Sequence, residues 1–403
     1  MPMNPRARAR LVLNPKDQTL GTIMERLAEV HGDRRIATEH PDDTERTYVE
    51  AADQVAAWAG AVAARVEPGA RVVLALPNTY DLMLACLAAS RAGAIPVPVN
   101  DRMRPEEVEH VIQDSGADLV VRDLATLEGA DPMEEAKPTD PADSAALFYT
   151  SGTTGKPKGA DLTHRGLVGG MTAGAAWPAF LRSDEAVVSL PVAHIMGFAA
   201  LLGLSCAGIP VYFLSKFRPN DVLDALESRK SSIFIGVPAM YRMMWEAGAA
   251  DRDLSSVRAW ISGADAMPPN LANDFKKLGA IARLPGLGTV GDALFVEGYG
   301  MVETGGGAAA KISAPLLDRV VGEQLFPLPG YEFKVVDEKG DEVAPGGEGE
   351  LLLKGPGVLK GYWGSPEATA DAVTMPCSHH WRTCAAVVSA PSSYSPRSLG
   401  RPA

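Results

Sequence analysis

At 403 residues the chain is too long for one simple core, and its 46% hydrophobic and 22% charged residues exclude a disordered or fibrous polymer. The formal charge of −12, from 38 basic and 50 acidic residues, excludes a general attraction for nucleic acid or anionic lipid. Cys86, Cys206, Cys377 and Cys384 form no CxxC pair and no zinc-like spacing, and no apolar run reaches the roughly 18 residues of a membrane span or follows the pattern of a signal peptide, so a cytoplasmic protein with reduced thiols is expected.

In chain order, the region from Thr19 to Val121 alternates helical and strand periods. Thr47 is expected to open a helix over 49–65, residues 72–76 read as a buried strand, 80–92 as a helix and 95–99 as the next strand. Pro105 stands where a helix over 106–114 can begin, and Leu119–Val121 follows as a strand. Strand and helix in alternation imply a mainly parallel sheet. The acidic, proline-containing stretch 128–141 reads as a surface connection before a second α/β unit with strands at 145–149, 186–190, Val211–Leu214, 233–237 and 259–262. From Gly330 the pattern becomes β-rich, with strands at 331–337 and 350–353 around a turn at 338–341. From about Pro376 the chain follows neither period.

The strongest chemical signal is Tyr149-Thr150-Ser151-Gly152-Thr153-Thr154-Gly155-Lys156-Pro157-Lys158-Gly159, a strand end that runs into a loop of glycines, hydroxyls and two lysines. Glycines let backbone N–H groups turn inward, hydroxyls add donors, and a lysine neutralises charge, so such a loop can wrap phosphate. A flexible polar loop is the ordinary reading of a Gly/Ser/Thr stretch, but eleven residues of this kind directly after a buried strand favour phosphate. The usual P-loop is excluded, because Pro157 rather than Ser or Thr follows Lys156.

This segment resembles the phosphate-binding signature of the superfamily of acyl-CoA synthetases, peptide-synthetase adenylation domains and luciferases. Ser262-Gly263-Ala264-Asp265-Ala266-Met267-Pro268 looks like its adenine-side loop, and Glu297-Gly298-Tyr299-Gly300-Met301-Val302-Glu303-Thr304 like its second nucleotide motif, in the same order. The resemblance runs to about Thr374. It implies the large N-terminal domain of adenylate-forming enzymes, an α/β fold of two subdomains with mainly parallel sheets plus a β-rich lobe at about 330–363, together spanning 1–374. It further implies that ATP activates a carboxylic acid, a fatty or related hydrophobic acid first and an aryl acid second, with CoA as co-substrate in intact relatives. Thr150 and Glu303 would ligate Mg²⁺, residues Ser151 to Lys158 would hold the pyrophosphate end, and Gly263, Ala264 and Asp265 with Gly298, Tyr299 and Gly300 would cradle adenine. By itself Glu303 would be a solvated acid and Tyr299 a core residue. His194 would by itself be a packed or capping residue; the resemblance places it at the carboxylate edge of an acyl pocket with Phe198, Val237 and Met301.

Two departures carry expectations. The second nucleotide motif usually has Thr where this chain has Val302, and a methyl cannot hydrogen-bond to phosphate or carboxylate, so slower adenylation is expected. At His380-Trp381-Arg382-Thr383-Cys384-Ala385-Ala386 the family has Trp-Phe-Arg-Thr-Gly-Asp, whose Asp binds ribose; that Asp, and the small C-terminal domain with its lysine, are expected to be missing. Residues 375–403 then read as an atypical tail of the kind a frameshift produces, or as a disordered one, and a nucleotide- or acyl-binding remnant with little turnover is the alternative to an active ligase.

Overall fold

Capping chemistry decides where several helices start. Thr47 Oγ1 accepts a hydrogen bond from Glu50 N (3.2 Å) while Glu50 Oε2 accepts one from Thr47 N (2.8 Å), a reciprocal cap that opens the Tyr48–Ala63 helix. Proline stands in the first turn of the Pro105–Ser115, Pro219–Arg229, Pro238–Glu246 and Pro269–Leu278 helices, where its missing N–H is no loss. The computed structural model describes residues 4–14, 17–100, 102–150, 156–177, 183–284, 288–314, 325–344, 347, 349–374 and 385–388. The chain divides into two compact units, Met1–Lys216 with Leu359–Ser365, and Phe217–Val358 with Pro366–Ala403.

In the first unit, Ile95–Asn100, Arg71–Leu76 and Leu119–Val121 form a parallel sheet in that order, with Arg71 opposite Ile95 and Val72 opposite Leu119. Val72, Val73 and Leu74 are fully buried, as a parallel strand covered on both faces requires. The Tyr80–Arg91 helix is buried around its whole circumference, which explains its nearly continuous apolar sequence. Val73, Val97, Val99, Val111 and Leu147 share one core, so the parallel sheet, the Pro105–Ser115 helix and the Ser144–Thr150 strand pack as a body. Ser144–Thr150 pairs antiparallel with Lys158–Thr163, and Gly361–Tyr362 pairs with the other edge of Lys158–Thr163. A further sheet runs Ala186–Val188, Val211–Leu214, Arg35–His40 in parallel and ends on the antiparallel strand Thr44–Thr47.

In the second unit, Ile233–Gly236, Ala259–Gly263 and Leu294–Tyr299 are parallel, and Ala309–Ser313 and Phe326–Pro327 continue antiparallel. Glu332–Val336, Glu350–Lys354, Ala385–Val388 and Val373–Thr374 form an antiparallel sheet in that order. Several strands lie outside the sequence expectation, among them Thr44–Thr47, Leu294–Tyr299 and Ala309–Ser313, and three others show why. Arg35–His40 carries charge at two of its six positions and a histidine at a third, and so lacks an apolar run, yet Ile36, Ala37 and Thr38 are buried. Lys158–Thr163 buries Asp161, whose Oδ2 accepts from Ser144 Oγ at 2.9 Å, so a polar pair sits where alternation was sought. Ala385–Val388, expected to follow no period, pairs with Glu350–Lys354. Among the described residues no helix is long and apolar enough to cross a membrane.

The second unit is organised around aromatic rings. The fully buried Tyr241 and Phe275 have centroids 5.0 Å apart, Trp260 lies 5.0 Å from Phe275, and Phe295 lies 5.5 Å from Tyr241. Tyr241 Oη donates to Ile261 O at 2.9 Å, so this ring also satisfies its one polar atom. Because Phe275 touches three other rings, Phe275→Ala should lower stability by about 3–5 kcal/mol in urea unfolding, and a loss under about 1 kcal/mol would show that the cluster collapses around the gap.

Candidate functional site

In the first unit the described ends of the Tyr149–Gly159 motif form an antiparallel pair of stems. Thr150 ends the first stem opposite Lys158, and Tyr149 stands opposite Gly159. Ser151, Gly152, Thr153, Thr154 and Gly155 lie outside the described residues. A Cβ on Gly159 would lie 3.0 Å from Cζ of Tyr149, so the phenol ring covers the backbone at that position and a larger residue would have to push the ring aside. Tyr149 Oη donates to Asp114 Oδ2 at 2.7 Å, and burial, followed by that carboxylate, raises the phenol pKa well above its ordinary value. At the far end of the loop, His110 Nε2 lies 2.9 Å from Pro157 O; a carbonyl only accepts, so Nε2 carries the proton. Lys156 is exposed at a bend, and Lys158 Nζ lies 5.5 Å above the Tyr362 ring. The 359–365 segment is fastened along the second stem by Lys360 N to Asp161 O (2.8 Å) and Trp363 N to Gly159 O (2.7 Å).

His194 caps the Ile195–Ala207 helix, its Nδ1 accepting from Met196 N at 3.2 Å. Nδ1 as acceptor leaves the proton on Nε2 in the neutral ring. The residue keeps exposed surface, yet desolvation by the surrounding protein lowers its pKa below the ordinary histidine value. The neutral ring therefore combines capping with a donor on its other nitrogen. Asn78 sets the approach to it: Oδ1 accepts from Val192 N at 2.8 Å, and Nδ2 donates to Ser215 O at 3.0 Å. Phe198 is fully buried and packs edge-on to Phe148 at 5.4 Å.

In the second unit, Val237, the Gly263–Asp265 turn and the Tyr299–Glu303 turn all follow the carboxyl ends of neighbouring parallel strands, with Gly263 paired to Gly298. Crevices at such ends are where open α/β sheets bind ligands. Ala264 adopts φ 67°, a left-handed conformation that disfavours alanine by about 1 kcal/mol or more, and Asp265 Oδ1 accepts from Ala266 N at 2.7 Å. A Cβ on Gly300 would fall 1.6 Å from Gly306 O, so no other residue fits. The turn is tied from within: Met301 N donates to Thr304 Oγ1 (3.0 Å), and Tyr331 Oη donates to Thr304 O (2.8 Å). Val302 is buried, Glu303 and Met301 are half-buried, and the Tyr299 ring lies 6.3 Å from Phe333. Cys86 and Cys206 are buried, and burial pushes the Cys206 thiol up to about 12, so neither is a nucleophile.

Sequence reasoning did not find Asn78, His110 or Asp114. Each is an isolated polar residue with no motif around it, and only the fold brings it to a backbone or a hydroxyl that matters.

The profile described as AMP-binding enzyme matches residues 24–136 and 123–363. A feruloyl-CoA synthase of Amycolatopsis sp is 32% identical over 360 residues, covering 82% of this chain and 69% of that protein. Among solved structures, the long-chain-fatty-acid-CoA ligase FadD1 from Archaeoglobus fulgidus superposes with a TM-score of 0.78 at 21% identity, covering 92% of this chain and 80% of the other. The Klebsiella oxytoca NpsA N-terminal subdomain in complex with 3-hydroxyanthranilyl-AMSN gives 0.76 at 19% identity, covering 93% and 95%. The two structures share the fold, and the profile and the feruloyl-CoA synthase share the sequence: the chain belongs to the AMP-binding enzyme family of adenylate-forming acid ligases.

Proposed function

We propose that the chain activates a hydrophobic carboxylic acid with ATP, forming an acyl-adenylate and releasing pyrophosphate, and that the acyl group then passes to CoA as a thioester. The observation that carries this reading is the set of turns at the carboxyl ends of three neighbouring parallel strands, two of them motif turns with a backbone only glycine fits, or alanine in a strained one. A carboxylate oxygen attacks the α-phosphorus, the bond to the bridging oxygen breaks, and its electron pair leaves with pyrophosphate. Two anions must meet, so the protein's task is to hold them in line and spread the developing charge over donors.

Each residue group has one part of that task. Ser151, Gly152, Thr153, Thr154, Gly155 and Lys156 with Lys158 would hold the pyrophosphate end, and Gly263, Ala264 and Asp265 with Gly298, Tyr299 and Gly300 the adenine. His194 would donate through Nε2 to the acid, and Phe198, Val237 and Met301 would meet its apolar part. Thr150 and Glu303 each offer one of the hard oxygens magnesium takes, a hydroxyl and a carboxylate, and Mg²⁺ would offset phosphate charge. The apolar Ile195–Ala207 helix supports a fatty acid first, and the feruloyl-CoA synthase relative an aryl acid second. A second reading, nucleotide or acyl binding with little turnover, is favoured by the buried Val302, whose methyl stands where the resemblance leads one to expect a hydroxyl.

Pyrophosphate release by the 403-residue chain with ATP, Mg²⁺ and a panel of fatty and aryl acids, with and without CoA, separates the readings. Acid-dependent release is expected; ATP binding without release would establish the second reading. Val302→Thr should raise the adenylation rate about tenfold, the worth of one hydrogen bond to a charged group, and no gain would refute the cause assigned to the methyl. His194→Ala should lower kcat/KM for the acid about tenfold in the same assay, as loss of a positioned donor does, with the KM for ATP moving less; equal losses for both substrates would make His194 only a helix cap.

A further inference from the structure

The two stems of the phosphate-loop motif are gripped from one face of one helix. His110 and Asp114 stand four residues apart on Pro105–Ser115, which places them one above the other on the helix surface. Asp114 holds the Tyr149 phenol, one residue before Thr150, and His110 holds the carbonyl of Pro157, one residue before Lys158. Thr150 and Lys158 are themselves paired across the stems. The helix is not a loose lever, because Val111 between the two side chains is fully buried in the core that contains Leu147 of the first stem.

We propose that His110 and Asp114 are positioning residues that fix where Thr150 and Lys158 leave the stems, and so set the affinity for the triphosphate of ATP. This rests on the proposed role of the motif in holding ATP. The two grips act on different atoms: Asp114 acts through a side chain, the Tyr149 hydroxyl, and His110 acts on the main chain. Tyr149 transmits its grip further, since its ring lies against the backbone of Gly159 on the second stem. Neither residue needs to touch the nucleotide. A shift of the stems of even about 1 Å is the kind of displacement that costs on the order of 100-fold in rate when it reaches reacting groups.

The test uses the full chain and four variants, His110→Ala, His110→Gln, Tyr149→Phe and Asp114→Ala. His110→Ala and Tyr149→Phe should each raise the KM for ATP about tenfold, the usual scale for removing a group that orients a ligand-binding one. The KM for the acid should stay within about twofold, since the grips act on the phosphate stems alone. His110→Gln, whose amide can still donate to Pro157 O, should recover most of the loss. Tyr149→Phe and Asp114→Ala should not add when combined, because they remove the same hydrogen bond. Amide hydrogen exchange without nucleotide should quicken at Thr150 and at Lys158 to Ala160 in the variants, with exchange in Ala259–Gly263 unchanged.

If the wild-type chain releases no pyrophosphate, the ligase reading fails, and the exchange data still decide the grip. Faster exchange confined to the stems upholds it. Unchanged KM for ATP in His110→Ala and Tyr149→Phe overturns it whatever the stem exchange, as does a uniform loss of protection across both units.

Discussion

The pairing of Thr150 with Lys158 is the constraint on which the phosphate site proposed for the first unit depends. Each residue fixed against a ligand costs about 1–2 kcal/mol of backbone entropy. Ends held by a ladder reduce that cost before any ligand arrives. Here the ladder is reinforced three ways: the Tyr149 ring covers Gly159, the Pro105–Ser115 helix holds both stems, and the 359–365 segment adds a third strand on the outer edge. The last of these is also why a short stretch from late in the chain belongs to the first unit.

In the second unit the corresponding constraint is steric rather than hydrogen-bonded. Gly300 passes so close to Gly306 O that a side chain there is impossible, and Thr304 then closes the turn through its hydroxyl and its carbonyl. Val302 and Glu303 have their places set by this turn and not by their own preferences. The aromatic cluster below gives the strands a rigid base, and rigidity is useful because a turn that positions charge loses its effect if it can relax.

Much of the fold was legible because burial leaves a trace in composition. Leu119–Val121 and Val211–Leu214 are apolar throughout and were read with their observed boundaries, and Pro105 marked its helix. Arg35–His40 and Lys158–Thr163 were not legible, because their buried positions include the polar Thr38 and Asp161, and Asp161 is buried against a Ser144 hydroxyl that only the fold brings to it. The motif residues were visible as runs of glycine and hydroxyl. The left-handed φ of Ala264 was not, since alanine rarely adopts it and only the structure reveals that it does. His110, Asp114 and Asn78 were invisible for the same reason: a single polar residue acquires its role from the atom opposite, and sequence spacing does not name that atom.

A chain of net charge −12 is an unpromising partner for ATP until distances are considered. At physiological ionic strength charges more than about 8 Å away are largely screened, so the few groups at the loop outweigh the remote carboxylates. Lys158 shows how a cation can be kept ready. Its ammonium lies over the Tyr362 ring at 5.5 Å, a contact worth about 0.5–1 kcal/mol at a partly exposed position. A hydrogen bond to a charged phosphate contributes about 1.5–3 kcal/mol, so in the role proposed for Lys158 the ring would restrain the lysine without outcompeting a nucleotide. Tyr362 lies on the strand that borders the second stem, and the element that steadies the loop's exit therefore also limits the wandering of its cation.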